Sequence, residues 1–429
     1  MKIALKNCQL VQPLQKINKK SNLLLEDGII VKIGNLSAED LKNAEVVDMK
    51  ENVVAPGFFD MHVHLREPGR EDEETIQTGC DAASNGGFTG IACMPNTEPA
   101  LDSAEVISLI KDKAKDHLVE VFPVGSATVA RKGEVISPMA ELFAAGAVGF
   151  SDDGVAIKNA RILKTCLEYA SMFDVPIIEH CEDESLAGGA MNEGTNSTFL
   201  GLPPIPSVAE DLIVMRDILM AEYTGGKVHI AHISTKNAVQ MVREAKAKGI
   251  RVTSEVSPHH FTLTDEAVKG YNTNTKMNPP LRTQKDVDAI LAGLKDGTID
   301  CIASDHAPHS LEEKEMEFEY APNGIVGLET QIGLALTELF HKKIVTIEQL
   351  VEKFAIKPRE ILNLPICKFE VGEAANFTIL DVNEIWSVDC SRFKSKSKNS
   401  PFDKRLLKGK AVGVINQKKM LLHGKLKDI

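Results

Sequence analysis

The sequence predicts an α/β chain, a TIM-type (β/α)8 barrel with a small β domain formed by the two chain ends. Three observations carry this reading. Between Val53 and Ser304, eight short apolar runs alternate with longer segments of helical period, and eight is the number that closes such a barrel. Both ends of the chain instead hold short strand-like stretches broken by turn signals. A length of 429 residues also exceeds what one hydrophobic core needs, which leaves room for a second unit. The expected division is 1–52 and 364–429 for the two parts of the β domain, and 53–363 for the barrel.

The eight expected barrel strands are Val53 to Asp60, Phe88 to Met94, Val119 to Gly125, Ala147 to Ser151, Val175 to His180, Lys227 to His232, Arg251 to Glu255 and Asp300 to Ser304. The helices between them carry start signals. Ser207 with Glu210 and Asp102 with Glu105 fit capping boxes, and Ser137-Pro138 fits an N-cap followed by proline. Glu329 to Phe340 and Thr346 to Leu362 read as the last helices, the second opened by Thr346 and Gln349. At the amino end, Asn22 to Glu26 and Ile29 to Ile33 flank the turn Asp27-Gly28 and predict a hairpin. Asn376 to Leu380, Ala411 to Ile415 and Lys419 to His423 repeat that style at the carboxyl end. A lone hairpin is marginal, so the two ends are expected to meet in one small domain.

Composition narrows the function classes. With 49 basic against 61 acidic residues the net charge is -12, so no basic excess exists to neutralise nucleic-acid phosphates. The lysine-rich stretches Lys16 to Lys20 and Lys394 to Lys398 read as solvated surface. No apolar run approaches the roughly 18–20 residues that span a bilayer, and the first residues lack a signal-peptide core, so the expected location is cytoplasmic. The cysteines at 8, 80, 93, 166, 181, 301, 367 and 390 form no C-x-x-C pair, and most read as reduced, buried small hydrophobes.

The sharpest chemical signal is Phe58-Phe59-Asp60-Met61-His62-Val63-His64 at the end of the first expected strand. Side chains alternate along a strand, so His62 and His64 face the same way, as two imidazoles sharing a metal must. Barrel enzymes place their sites at the carboxyl ends of the strands. Three later strands end with further donors: Glu179-His180, His229-Ile230-Ala231-His232 and Ser304-Asp305-His306. His229 and His232 lie an odd number apart, so only one is expected to reach the metal. His232 is nearer the active end, and His229 reads as structural. At the end of strand four, Asp152 or Asp153 could bridge two ions, and local chemistry does not choose between them. An ordinary Asp-Gly turn would use the same residues.

The stretch His62-Val63-His64-Leu65-Arg66-Glu67-Pro68-Gly69 closely resembles the opening motif of the class I dihydroorotases, within the amidohydrolase superfamily. Met94-Pro95-Asn96-Thr97, Phe150-Ser151-Asp152-Asp153-Gly154, His180-Cys181-Glu182-Asp183, Asn278-Pro279-Pro280-Leu281-Arg282 and Ser304-Asp305-His306-Ala307-Pro308-His309 match its later motifs in order. The resemblance implies metal ligation by His62, His64, Asp153, His180, His232 and Asp305, with one or two zinc ions per subunit. It implies a substrate pocket of His64, Arg66, Asn96, Asn278 and His309, with Asn323 and Gly324 beside it. Many relatives bridge their metals with a carboxylated lysine, whereas no lysine stands at this strand end. An aspartate-bridged or single-zinc variant is therefore expected. Relatives often carry phenylalanine where this chain has Asn323, which would preserve backbone contacts to a substrate ring but not side-chain stacking. Leu311 to Tyr320 resembles a mobile loop near the family's site; an ordinary solvated connection is the alternative.

The reaction so implied closes N-carbamoyl-L-aspartate to L-dihydroorotate with loss of water, a step of pyrimidine synthesis. Zinc would polarise the carbonyl and lower the pKa of a bound water toward roughly 7. Asp305 would act as general base and then general acid, while Arg66 suits the substrate carboxylate. Hydantoinases and allantoinases are the nearest competing activities; a metal-free scaffold protein is the competitor from another class. A homo-oligomer and an association with aspartate transcarbamoylase complete the expectations.

Overall fold

The computed structural model describes residues 1–429. Its central strands are Phe58–Val63, Phe88–Cys93, Glu120–Pro123 continued by Gly125–Ser126, Phe150–Ser151, Ile177–Glu179, Val228–Ile230, Val252–Val256 and Cys301–Ile302. Every pairing among them is parallel. The ladder changes partners within the third strand, where the Val124 N–H bonds Cys93 and the next N–H, from Gly125, bonds Gly149. The segment just past the eighth strand meets the first through an isolated parallel bridge between Val63 and His306, with the His64 N–H 2.8 Å from the His306 carbonyl. Eight strands thus follow one another around a (β/α)8 barrel, as expected. Most of the strands are shorter than the apolar runs that announced them; the fourth keeps only Phe150–Ser151 of the expected Ala147 to Ser151.

Inside the barrel, Phe59, Met61, Ala92, Val124, Ile178, Ala231 and Ala303 pack in a buried cluster closed from below by Ile361 and Leu362. A larger apolar layer lies between strands and helices. Capping fixes several helix starts. Thr75 with Thr78, Thr283 with Asp286 and the expected Thr346 with Gln349 form reciprocal boxes. The other three expected starts differ. Ser207 is already helical and makes no cap bond, because Glu210 is drawn inward to accept from Ser234 and Thr235. Asp102 accepts from the Ala130 N–H, and the helix begins after Ser103. Pro138 takes the cap position in place of Ser137, one residue later than expected.

The two ends build one sheet. Its order is Lys425–Asp428, Lys419–Leu422, Leu406–Asn416, Asn376–Ser387, Val53–Pro56, Lys2–Gln12, Ile17–Glu26 and Ile29–Ile33, with Glu45–Asp48 also on Lys2–Gln12. Asp27 and Gly28 both have positive φ, 50° and 79°, as a two-residue hairpin turn with the strands' own twist requires. The expected first barrel strand, Val53 to Asp60, divides at Gly57. Val53–Pro56 pairs with the terminal sheet on both sides, and only Phe58–Val63 enters the barrel. Gly57 is the crossing point, since a Cβ there would lie 1.7 Å from Asn376 Oδ1 and 2.1 Å from Thr89 Oγ1. No helix is long and apolar enough to cross a membrane.

All eight cysteines are free, and all but Cys367 are buried. Lys16, Lys19 and Lys20 are exposed, as are Lys394, Lys396 and Lys398. The second stretch is more than solvated surface. Its buried Ser395 and Ser397 turn inward, Ser395 Oγ donating to Glu74 Oε2 at 2.5 Å and Ser397 Oγ to the Glu73 carbonyl at 2.7 Å. The carboxyl-terminal segment therefore braces the loop that follows strand one.

Candidate metal centre and active site

The rim gathers the expected donors. His62 Nε2 stands 3.4 Å from Asp153 Oδ1, and His64 Nε2 is 3.5 Å from Asp153 Oδ2. Asp305, just past strand eight, lies 3.7 Å from His62 Nε2 and 3.2 Å from His64 Nε2. From strands five and six, His180 Nδ1 and His232 Nε2 sit 3.9 and 3.7 Å from Asp153 Oδ1 and 3.0 Å from each other. None of the six residues is more than 9% exposed. Asp305 and His232 hold positive φ, 50° and 31°, a strained backbone that costs about 1–3 kcal/mol each and is typical of functional positions.

The donor set fits a divalent cation. His62 Nε2 and Asp153 Oδ1 are buried without a hydrogen-bond partner although they face each other. Two ligand atoms each roughly 2 Å from one ion in a tetrahedral shell stand about 3.3 Å apart, close to that separation. The far nitrogens are held as metal-ligating histidines require: His62 Nδ1 is 2.6 Å from Glu255 Oε1 and His64 Nδ1 is 2.8 Å from Asn96 Oδ1. Burial opposes charge on His62, yet Asp153 and Glu255 outweigh it and hold its pKa well above the ordinary value. Burial likewise works against the Asp153 carboxylate, but His62, His232 and His64 bring its pKa well below the usual range. Asp305 is held low against the same penalty by His64, His62 and His232. Without a cation the cluster balances its carboxylates with imidazole protons, and a cation can take their place.

The structure separates the two aspartates that local chemistry left open. Asp152 turns away, accepting from the Thr128 N–H at 2.9 Å and from the Thr128 hydroxyl. Asp153 alone faces the histidines. His232 joins the cluster and His229 does not, as expected, but strand alternation is not the reason. The strand ends at Ile230, and the left-handed backbone at His232 aims its ring. His229 stays on Thr253 and Glu255, at 2.8 and 3.3 Å.

Arg66, Asn96, Asn278 and His309 line the same rim. Arg66 Nε is 3.1 Å from both the Pro308 carbonyl and Glu73 Oε2, and Arg66 Nη2 approaches His309 Nε2 to 3.4 Å. The His309 ring lies 3.0 Å from Glu73 Oε1 and 2.7 Å from the Asn323 carbonyl. Asn278 donates to Glu182 Oε2 at 2.9 Å, and its own Oδ1 is buried and unpartnered. The Asn323 side chain is exposed, so its backbone makes the contact; buried Gly324 accepts from Lys314 and Asn399. The segment from Leu311 to Tyr320 is tied down by buried Lys276, which donates to the Glu319 and Ala321 carbonyls at 2.7 Å each, and by Lys314, 2.8 Å from the Pro322 carbonyl. Sequence reasoning missed Glu255 and Glu73, the carboxylates that orient His62, Arg66 and His309. Glu255 was readable as a charge closing an apolar strand, whereas Glu73 lies in an acidic loop, Glu71-Asp72-Glu73-Glu74, with nothing to single it out.

The fold and this rim together define a barrel hydrolase of the amidohydrolase kind. Solved structures agree on the fold: L-hydantoinase (dihydropyrimidinase) from Arthrobacter aurescens superposes with a TM-score of 0.87 at 24% identity, covering 100% of this chain and 97% of that one. D-hydantoinase (dihydropyrimidinase) from Thermus sp. gives 0.82 at 22%, covering 100% and 97%. Residues 51–238 match the family model described as dihydro-orotase-like. Dihydroorotase from Pelotomaculum thermopropionicum is 50% identical over 95% of this chain and 96% of its own, and that from Syntrophus aciditrophicus 48% over 97% and 98%. The chain belongs to the dihydroorotase family.

Proposed function

We propose that this chain closes N-carbamoyl-L-aspartate to L-dihydroorotate with loss of water, and opens the ring in reverse, as a step of de novo UMP synthesis. The observation that carries the reading is that one buried rim holds both a cation-binding donor set and, beside it, an arginine aimed by a carboxylate. Metal ligation is assigned to His62, His64, Asp153, His180, His232 and Asp305, and zinc suits their nitrogen and oxygen donors. A divalent ion held there supplies Lewis acidity toward the carbonyl and acidifies water.

The residues do the rest. Asp305, the carboxylate just past strand eight and 3.2 Å from His64 Nε2, takes the proton of the attacking water during ring opening and gives it to the departing ring nitrogen; ring closure runs the same transfers backward. Arg66 offers its planar fork of donors to the substrate carboxylate. Asn96 spends its carbonyl on His64 and keeps its amide N–H groups for the substrate. Asn278 Oδ1, buried and unpartnered, is free to accept a ring N–H. His309 joins Arg66 at the carboxylate end, and the Asn323-Gly324 backbone borders the ring.

Further proposals follow the same reading: the division 1–52, 53–363 and 364–429, with Val53–Pro56 moved to the β domain and the barrel itself opening at Phe58, and a cytoplasmic setting. Val208, Leu212, Met215, Leu219 and Tyr223 leave an exposed apolar stripe along the helix Val208–Thr224, which supports a homo-oligomer. Association with aspartate transcarbamoylase rests on the family resemblance alone. Turnover of dihydroorotate beside hydantoin and allantoin tests the substrate. Preference for dihydroorotate is expected, and equal or better use of hydantoin would overturn the assignment.

A further inference from the structure

The barrel interior holds a second set of donors that the proposed reaction does not use. His229 comes from strand six, Glu255 from strand seven and Cys301 from strand eight, and all three are 0% exposed. One nitrogen, one carboxylate oxygen and one sulfur of this trio lie within 4.8 Å of one another. Two of the atoms are orphans: His229 Nε2 and Glu255 Oε2 stand 3.3 Å apart, and neither has a hydrogen-bond partner. Their other ends are pinned. His229 Nδ1 is 2.8 Å from Thr253 Oγ1, and Glu255 Oε1 is 2.6 Å from His62 Nδ1. Cys301 Sγ lies 3.4 Å from Met61 Sδ and 3.9 Å from the Ser254 carbonyl. Apolar Met61, Ala231 and Ala303 share the interior around it.

We propose that His229, Glu255 and Cys301 form an interior cation site, distinct from the rim, that takes one borderline-soft divalent ion of the zinc class. The spacing of the orphaned nitrogen and oxygen matches the roughly 3.3 Å expected of two ligand atoms on one tetrahedral ion. A thiolate donor selects against magnesium and calcium, which take oxygen shells. One thiolate and one carboxylate neutralise a dication, as a dry interior demands. On binding, the Cys301 S–H bond breaks, a metal–sulfur bond forms and the proton leaves to solvent. His229 and Glu255 contribute lone pairs, and the Met61 thioether stands next to the sulfur. Because the three residues are sealed from solvent, the ion is taken up as the chain folds. Glu255 keeps its free oxygen for this ion and its other oxygen for His62, so the two sites share one carboxylate side chain. The assignment is independent of which cyclic amide the rim opens.

Full-length protein produced in cobalt-supplemented medium tests it. A thiolate-to-cobalt absorption in the near ultraviolet is expected, and the rim donors, which include no cysteine, cannot produce it. The band should vanish in Cys301→Ser and survive in Cys181→Ser. Absence of the band from cobalt-loaded wild-type protein, or its persistence in Cys301→Ser, would overturn the site. X-ray absorption at the zinc edge reads the same bond without substitution: sulfur at about 2.3 Å supports the site, and a shell of nitrogen and oxygen alone refutes it.

Discussion

The carboxyl-terminal rim of the barrel and the terminal β-sheet are buried to a similar depth and spend that burial in opposite ways. The sheet encloses a cluster of apolar side chains, among them Ile3, Leu5, Leu23, Ile30, Phe377 and Ile415. The rim buries four histidines and two aspartates around atoms that lack hydrogen-bond partners, on a backbone strained at His232 and Asp305. Such an arrangement destabilises the fold unless something binds it. Stability is concentrated where chemistry is absent, and the rim's unpartnered polar atoms are the mark of its use.

Substitutions on the two sides should therefore part company. Asp305→Asn keeps the left-handed backbone, which asparagine tolerates, but removes the proton acceptor. Dihydroorotate turnover should fall about 10²–10⁴-fold while the thermal midpoint does not drop. A large loss of stability with turnover per folded molecule retained would erase the distinction. In the sheet, Phe377→Ala deletes a fully buried ring that packs 5.3 Å from Phe369. Chemical denaturation should register a cost of about 3–5 kcal/mol, with kcat/KM of the folded fraction unchanged.

Glu73→Gln sharpens the comparison within the rim itself, because that carboxylate touches no ion-binding residue yet holds Arg66 and His309. KM should rise roughly tenfold with a smaller change in kcat; the reverse pattern would move Glu73 into the chemistry. The smallest effect concerns Lys314, whose pKa is pushed down to about 7 from 10.5 by burial and by Lys276. Between those values the unfolded chain holds a proton that the folded protein has given up, so Lys314's contribution to stability rises with pH across the window and its charge penalty is full below about 7. In Lys314→Met that part of the slope should flatten. An unchanged slope in the variant would show that the lysine is charged throughout.

Much of this was legible in the residues. The alternation of apolar runs located all eight barrel strands, and the histidine spacing located the rim, because both follow from local periodicity. The Val53–Asp60 run could not reveal that its first half belongs to another sheet, since a strand's partners lie hundreds of residues away. Two expected capping boxes failed for a related reason: Glu210 and Asp102 found stronger tertiary partners than the backbone beside them. Local chemistry left Asp152 and Asp153 open, the family resemblance chose Asp153, and the Thr128 contacts that turn Asp152 away supply the physical reason; Glu255 gained its meaning only from a ring 193 positions earlier. What a sequence hides here is pairing across the barrel, and the site consists mainly of such pairs.

The most direct test strips the protein of metal with a chelator and returns zinc in measured amounts while dihydroorotate hydrolysis is followed. Turnover should disappear with the metal and climb with each added equivalent until the rim donors are filled. Full turnover in protein shown by elemental analysis to hold no metal would contradict it.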